Sequence, residues 1–170
     1  MRIGIPAETR QGETRVAATP ETIKKLIAAG HKVTVQSGAG VAASLPDDTF
    51  AAVGAEIGTA SAAFGCDVVL KVRAPSADER ALMKSGTVVV GMLNPFDADG
   101  IAAMAAAGLS AFALEAVPRI TRAQSMDVLS SQANIAGYKA VLMTANLYQR
   151  FLPMLMTAAG TVKAARVLIM

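Results

Sequence analysis

From the amino terminus to about residue 115, short runs of β-branched and aliphatic residues alternate with stretches whose apolar positions recur at helical spacing. Arg2 to Ile5 reads as a strand. From Pro20 to Ala29 the apolar residues Ile23, Leu26 and Ile27 share one helical face, and Gly30 stops that helix before a strand from His31 to Gln36. Thr19 suits the N-cap of this helix, Pro20 its first position, and Glu21 the positive end of its dipole. The same periods predict a short helix from Asp47 to Val53 and buried strands from Asp67 to Val72 and Thr87 to Met92. They also predict helices from Ala77 to Lys84 and from Asp97 to Ala107, the latter ending at Gly108, and a strand from Ser110 to Leu114.

Repeated strand-helix-strand units with nearly continuous Val/Ile/Leu strands predict an α/β fold: a parallel-sheet, Rossmann-like or flavodoxin-like domain with flanking helices. Such sheets hold ligands outside the carboxyl ends of their strands, so residues that follow strands carry the chemical interest. From Ser125 to Tyr148 the pattern becomes one long helix of roughly 35 Å, with Ser130, Ala133, Gly137, Ala140 and Thr144 as a small-residue stripe. Pro153 interrupts it, Gly160 marks a turn, and Ala165 to Met170 reads as a fresh apolar strand. The expected organisation is an α/β domain over residues 1–125, a long connecting helix and linker over 126–160, and the first strand of a missing nucleotide-binding domain over 161–170. A lone opening strand cannot bury both faces, so the chain reads as a fragment.

Composition narrows the class. With 53% apolar and 17% charged residues among 170, the chain suits one sizeable core. Much of the apolar fraction is Ala, and there is no Trp, so close-packed small residues should build that core. The net charge of +3 comes from scattered Lys and Arg without interleaved aromatics, which argues against nucleic acid. Cys66 is alone, so neither an intrachain disulfide nor a thiolate zinc cluster is expected, and a buried thiol in a reducing compartment is. The start lacks a secretory signal, no apolar run approaches the roughly 20 residues of a membrane helix, and a soluble chain is expected. His31, the lone histidine, reads as a surface residue.

Chemistry concentrates between Pro118 and Gln132, where Arg119, Gln124, Asp127 and Ser130 supply a guanidinium, an amide, a carboxylate and a hydroxyl. That set suits a multifunctional polar ligand such as a nucleotide cofactor. From the residues alone a plainer reading stays open: an Arg119–Asp127 salt bridge, Ser125 or Asp127 capping the long helix, and Gln124 solvated. Arg15 and Lys71, taken singly, read as surface charges. Glu115, at a strand end, is placed to order the loop through backbone groups or Arg119.

Several motifs resemble the alanine dehydrogenase and transhydrogenase family over essentially the whole chain. They are the opening Gly4-Ile5-Pro6-Ala7-Glu8-Thr9 with Gly12-Glu13-Thr14-Arg15-Val16-Ala17-Ala18-Thr19-Pro20, the loop Gln36-Ser37-Gly38-Ala39-Gly40, Leu70-Lys71-Val72-Arg73-Ala74-Pro75, and Met156-Thr157-Ala158-Ala159-Gly160-Thr161-Val162 with Arg166-Val167-Leu168-Ile169-Met170. The 119–130 segment is similar to the Arg-Gln-Asp loop of the family's proton-translocating transhydrogenase branch. That resemblance implies that Arg119, Gln124 and Asp127, with Ser130, position the nicotinamide of NAD(H) for hydride transfer from NADH to NADP⁺. It implies further that NADP(H) sits on a partner component and that a membrane component couples transfer to proton translocation. The full-length protein would be a homodimer, cytoplasmic and peripheral at the inner membrane through partner subunits.

In the dehydrogenase branch, an arginine and a lysine matching Arg15 and Lys71 hold pyruvate, and a histidine moves the proton; here that position is Asn94, whose amide cannot exchange a proton near neutral pH. Arg15 and Lys71 are thus expected as a substrate-pocket remnant. The dinucleotide turn G-x-G-x-x-G is absent from these residues, Gly38-Ala39-Gly40 lacks its third glycine, and the chain alone is expected to be inactive. The alternatives are an alanine or related amino-acid dehydrogenase and a non-catalytic oligomerisation scaffold using the long helix.

Overall fold

The computed structural model describes residues 1–169, which form two compact units: Met1 to Met126, and the residues from Asp127 onward. In the first, six parallel strands run β1 (Arg2–Ile5), β2 (Lys32–Gln36), β3 (Glu56–Gly58), β4 (Val68–Arg73), β5 (Val88–Met92) and β6 (Ser110–Ala113). Their spatial order is β3-β2-β1-β4-β5-β6, so the chain works outward from β1 to one edge and then returns past it to build the other. The helices between them are α1 (Pro20–Ala28), α2 (Asp47–Ala51), α3 (Ala60–Phe64), α4 (Ala77–Ala81) and α5 (Ala98–Ala106). The α/β parallel-sheet expectation holds, as do the strands and helices expected from sequence, each trimmed at its ends.

Local chemistry explains the helix starts. The Thr19 hydroxyl accepts from the Thr22 amide, Thr59 and Asp97 cap α3 and α5 in the same way, and Ser76 and Glu79 cap α4 reciprocally. The principal core joins Ile3 and Ile5 of β1 and Val33 and Val35 of β2 to Ile23, Phe50 and Ala55; a smaller one joins Val89, Leu93 and Met104. Gly4 is required where α3 crosses β1, because a Cβ there would enter the Ala63 carbonyl.

Two features were not anticipated. β3 and α3 fill the interval after Val53, and Thr121–Met126 forms a 3₁₀ helix where the long helix was expected to begin. The long helix α6 is Val128–Leu147, capped by Asp127, and in its own unit it buries no residue; the small-residue stripe is exposed. Beyond it, β7 (Leu155–Thr157) and β8 (Gly160–Val162) pair as an antiparallel hairpin. The strand expected over 165–170 does not form across residues 163–169, which have no strand to pair with, and Met170 lies outside the described residues. Among the described residues no helix is long and apolar enough to cross a membrane.

Candidate functional site

The carboxyl ends of β1, β4, β5 and β6 bring the polar residues of the first unit to one edge of the sheet. Between β1 and β4 the strand order reverses its direction of growth, the position at which parallel α/β sheets open a ligand crevice. Here a cleft of about 370 Å³ is lined by Glu8, Thr9, Arg10, Lys71, Arg73, Ala74, Ser76 and Glu79.

Lys71 reaches this cleft because β4 is irregular. Its register against β5 shifts between Leu70 and Arg73, so Lys71 and Val72 are buried in succession instead of alternating. Gly91 lets β5 pass close by, since a Cβ on it would meet the Lys71 carbonyl oxygen. The Lys71 Nζ donates to Glu79 Oε1 at 2.8 Å and lies 3.5 Å from Glu8 Oε2, with side-chain exposures of 1%, 8% and 2% for Lys71, Glu79 and Glu8. The ammonium also sits 5.5 Å from the centre of the Phe64 ring. Glu8 accepts from the Val72 amide at 2.6 Å and the Arg73 amide at 3.3 Å, tying the loop after β1 to the end of β4. Glu79 further accepts from the Thr9 hydroxyl at 3.0 Å and the Ser76 amide at 2.8 Å.

A second ion group lies alongside. Glu13 accepts from Arg15 Nε and Nη2, both at 2.7 Å, and from Arg73 Nε at 2.8 Å. The Arg15 hydrogen bonds are the main reason that the Glu13 carboxyl is lowered from 4.5 to about 2, against the opposing effect of its burial, with the Arg73 bond adding to the fall. The same pairing raises the Arg15 guanidinium. Arg15 and Lys71, expected to share one substrate pocket, are thus each ion-paired to a carboxylate of the chain, and Lys71 is a buried residue, not a surface charge.

At β5 the chain turns through Asn94, which is exposed and holds a left-handed φ of 54°. The Leu93 and Asn94 amides donate to the Glu115 carboxylate at 3.1 and 2.6 Å, so Glu115 does bond backbone groups, those of the β5 end. From there the chain runs through the 3₁₀ helix, with Arg119 and Gln124 exposed and Ala123 buried. In the second unit Asp127 accepts from the Ser130 amide at 3.0 Å and the Ser130 hydroxyl at 2.6 Å, so it, and not Ser125, is the cap of α6. The exposed guanidinium and amide followed by a pinned carboxylate-hydroxyl pair form a donor and acceptor set that fits a carboxamide, phosphate and ribose ligand.

Sequence reading missed Glu8, Thr9, Glu13, Arg73 and Glu79. The Ser76-x-x-Glu79 spacing is a capping-box signature and pointed to Glu79. Nothing local pointed to Glu8, whose partners lie 64 and 65 residues away. Cys66 is buried as expected; its burial pushes the thiol up, and Sγ donates to the Ala62 carbonyl at 3.4 Å. His31 is half-buried at the stop of α1.

Comparison with known proteins places this geometry. The family described as alanine dehydrogenase/PNT, N-terminal domain, matches residues 4–136. The chain is 48% identical to the first of the polypeptides that make up NAD(P) transhydrogenase subunit alpha in Rhodospirillum rubrum, covering 99% of this chain and 46% of that protein. It is 34% identical to alanine dehydrogenase 1 of Staphylococcus aureus over 85% of this chain and 38% of that one. The solved transhydrogenase of Sinorhizobium meliloti superposes with a TM-score of 0.94 at 52% identity, covering 97% of this chain and 50% of that structure. An L-alanine dehydrogenase structure superposes at 0.79 with 29% identity, over 86% and 40% of the two chains. The chain spans about half or less of the length of these relatives.

Proposed function

The chain belongs to the alanine dehydrogenase/PNT N-terminal domain family, and from that premise we propose that it is a portion of a transhydrogenase alpha subunit that helps to hold NAD(H) for hydride transfer to NADP⁺. The observation that carries this reading is the 119–130 segment. It leaves the carboxyl edge of a parallel sheet with Arg119 and Gln124 exposed, and ends in an Asp127–Ser130 pair fixed by a helix cap. Arg119 would meet phosphate or ribose oxygens, and the Gln124 amide would read a carboxamide with one donor and one acceptor. Asp127, held by Ser130, would accept from the carboxamide nitrogen with its direction set in advance. Bound NADH supplies the hydride itself, and no proton accompanies it, so the residues need to orient and not to titrate.

Asn94 supports the same reading, since its amide offers no proton transfer for an amino-acid dehydrogenase. NADP(H) on a separate component, coupling to proton translocation by a membrane component, and attachment to the inner membrane through those partners complete the proposal. The apolar side chains exposed on α6 in its own unit, Ile135, Val141 and Leu147 among them, suit a homodimeric full-length protein.

The test uses the full-length protein that carries this chain, mixed with an NADP(H)-binding component, and measures hydride transfer from NADH to an NADP⁺ analogue. Gln124→Ala is expected to lower the rate by about 10-fold to 100-fold through lost orientation. An unchanged rate in that variant would remove the loop from the site.

A further inference from the structure

The crevice at the switch between β1 and β4 is where a doubly wound sheet usually accepts a small ligand. In this chain its floor is the Lys71 ammonium, and that ammonium already has a carboxylate on it: Glu79 Oε1 at 2.8 Å, with Glu8 Oε2 at 3.5 Å behind. We propose that Glu79 is a built-in carboxylate ligand of Lys71 and sets the specificity of the cleft, excluding small external carboxylates, 2-oxo acids included.

Three observations support this assignment. Glu79 is held from the side away from Lys71 as well: its Oε2 accepts from the Ser76 amide at 2.8 Å, and its Oε1 shares the Thr9 hydroxyl at 3.0 Å. Moving it aside would break the α4 cap and strand a buried charge. Glu79 is also tethered, so it meets Lys71 at an effective concentration that a dissolved anion does not reach. Finally, Glu8 is fixed by the Val72 and Arg73 amides, so a newcomer would enter as a third carboxylate beside two that cannot leave. Arg10 and Arg73 at the rim give anions a path inward, but the buried cation at the end of that path is taken.

The assignment stands apart from the hydride-transfer reading, and its test does not involve nicotinamide. The thermal midpoint of the 170-residue chain is measured in rising sodium acetate or sodium pyruvate, with sodium chloride at matched ionic strength as the reference. Glu79→Ala leaves Lys71 open to the cleft, and its midpoint is expected to climb saturably with either carboxylate while the parent's does not. The apparent dissociation constant should be at least about tenfold lower than any seen for the parent, the scale of one charged hydrogen bond. If Glu79→Ala is unfolded at rest, acetate should restore its circular dichroism by the same binding. Lys71→Met combined with Glu79→Ala should lose the response, and Glu79→Gln, which keeps the cap but brings no charge to Lys71, should show a weaker one. Saturable stabilisation of the parent by pyruvate, or no response of Glu79→Ala to either carboxylate, would overturn the assignment.

Discussion

At the residue scale the molecule is organised by carboxylates that face cations across the sheet edge. Glu13 is the one whose titration carries a measurable consequence. Its carboxyl is held down to about 2 in the folded chain by Arg15 first, and then by Arg73. A lowered folded value stabilises the fold fully above the ordinary value of 4.5, and the contribution is lost as the pH falls from there toward about 2. Denaturant titrations at pH 6 and pH 3 should therefore show a smaller drop in stability for Glu13→Gln than for the parent, and equal drops would contradict the pairing. Close approach sets a second expectation: Gly91→Ala drives a Cβ against the Lys71 carbonyl oxygen and should cost about 1–3 kcal/mol in urea unfolding. Arg119, Gln124, Asp127 and Ser130 were legible as a polar concentration in an apolar sequence. Lys71 was legible only by resemblance. Its buried state depends on the β4 irregularity and on Glu8, and neither follows from local pattern.

Among the elements, those with strong periodicity or paired start and stop signals were readable. α1 carries Thr19, Pro20 and Gly30, and β4, β5 and β6 are short apolar runs bounded by polar or glycine residues. β3 and α3 escaped because each is too short to show a period, at 3 and 5 residues. The β7–β8 hairpin was read as a bare turn at Gly160, since its strands hold three residues each and alternate only weakly. The start of α6 is settled by one side chain. Asp127→Ala should cost about 1 kcal/mol through loss of the cap, whereas Asp127→Asn keeps a good capping group. That pair of variants separates two roles of one residue: in the hydride-transfer assay Asp127→Asn should still fall, because the charge is gone, while the helix measured by circular dichroism is unchanged.

Viewed as a whole molecule, the division falls between Met126 and Asp127, one residue beyond the expected boundary. The first unit holds both buried clusters, and the second has a 20-residue helix with no buried residue in its own unit. Residues 1–126 expressed alone should therefore unfold cooperatively, with Phe50→Ala costing about 3–5 kcal/mol. A broad, uncooperative transition would contradict the core assignment. The parallel order of the sheet was legible in its class, because crossover helices separate nearly continuous apolar strands. The filling of its switch-point crevice by the chain's own ions was not, because it joins residues 8, 71 and 79 through the fold.

The most direct test of the central claim sets two reactions of the same full-length protein side by side. NADH oxidation is followed with an NADP⁺ analogue and the NADP(H)-binding component, and separately with pyruvate and ammonia. Hydride transfer to the analogue that falls in Gln124→Ala and Asp127→Asn, with no pyruvate-dependent oxidation, is the predicted result. Pyruvate-dependent oxidation without transfer to the analogue would contradict it and assign the chain to an amino-acid dehydrogenase.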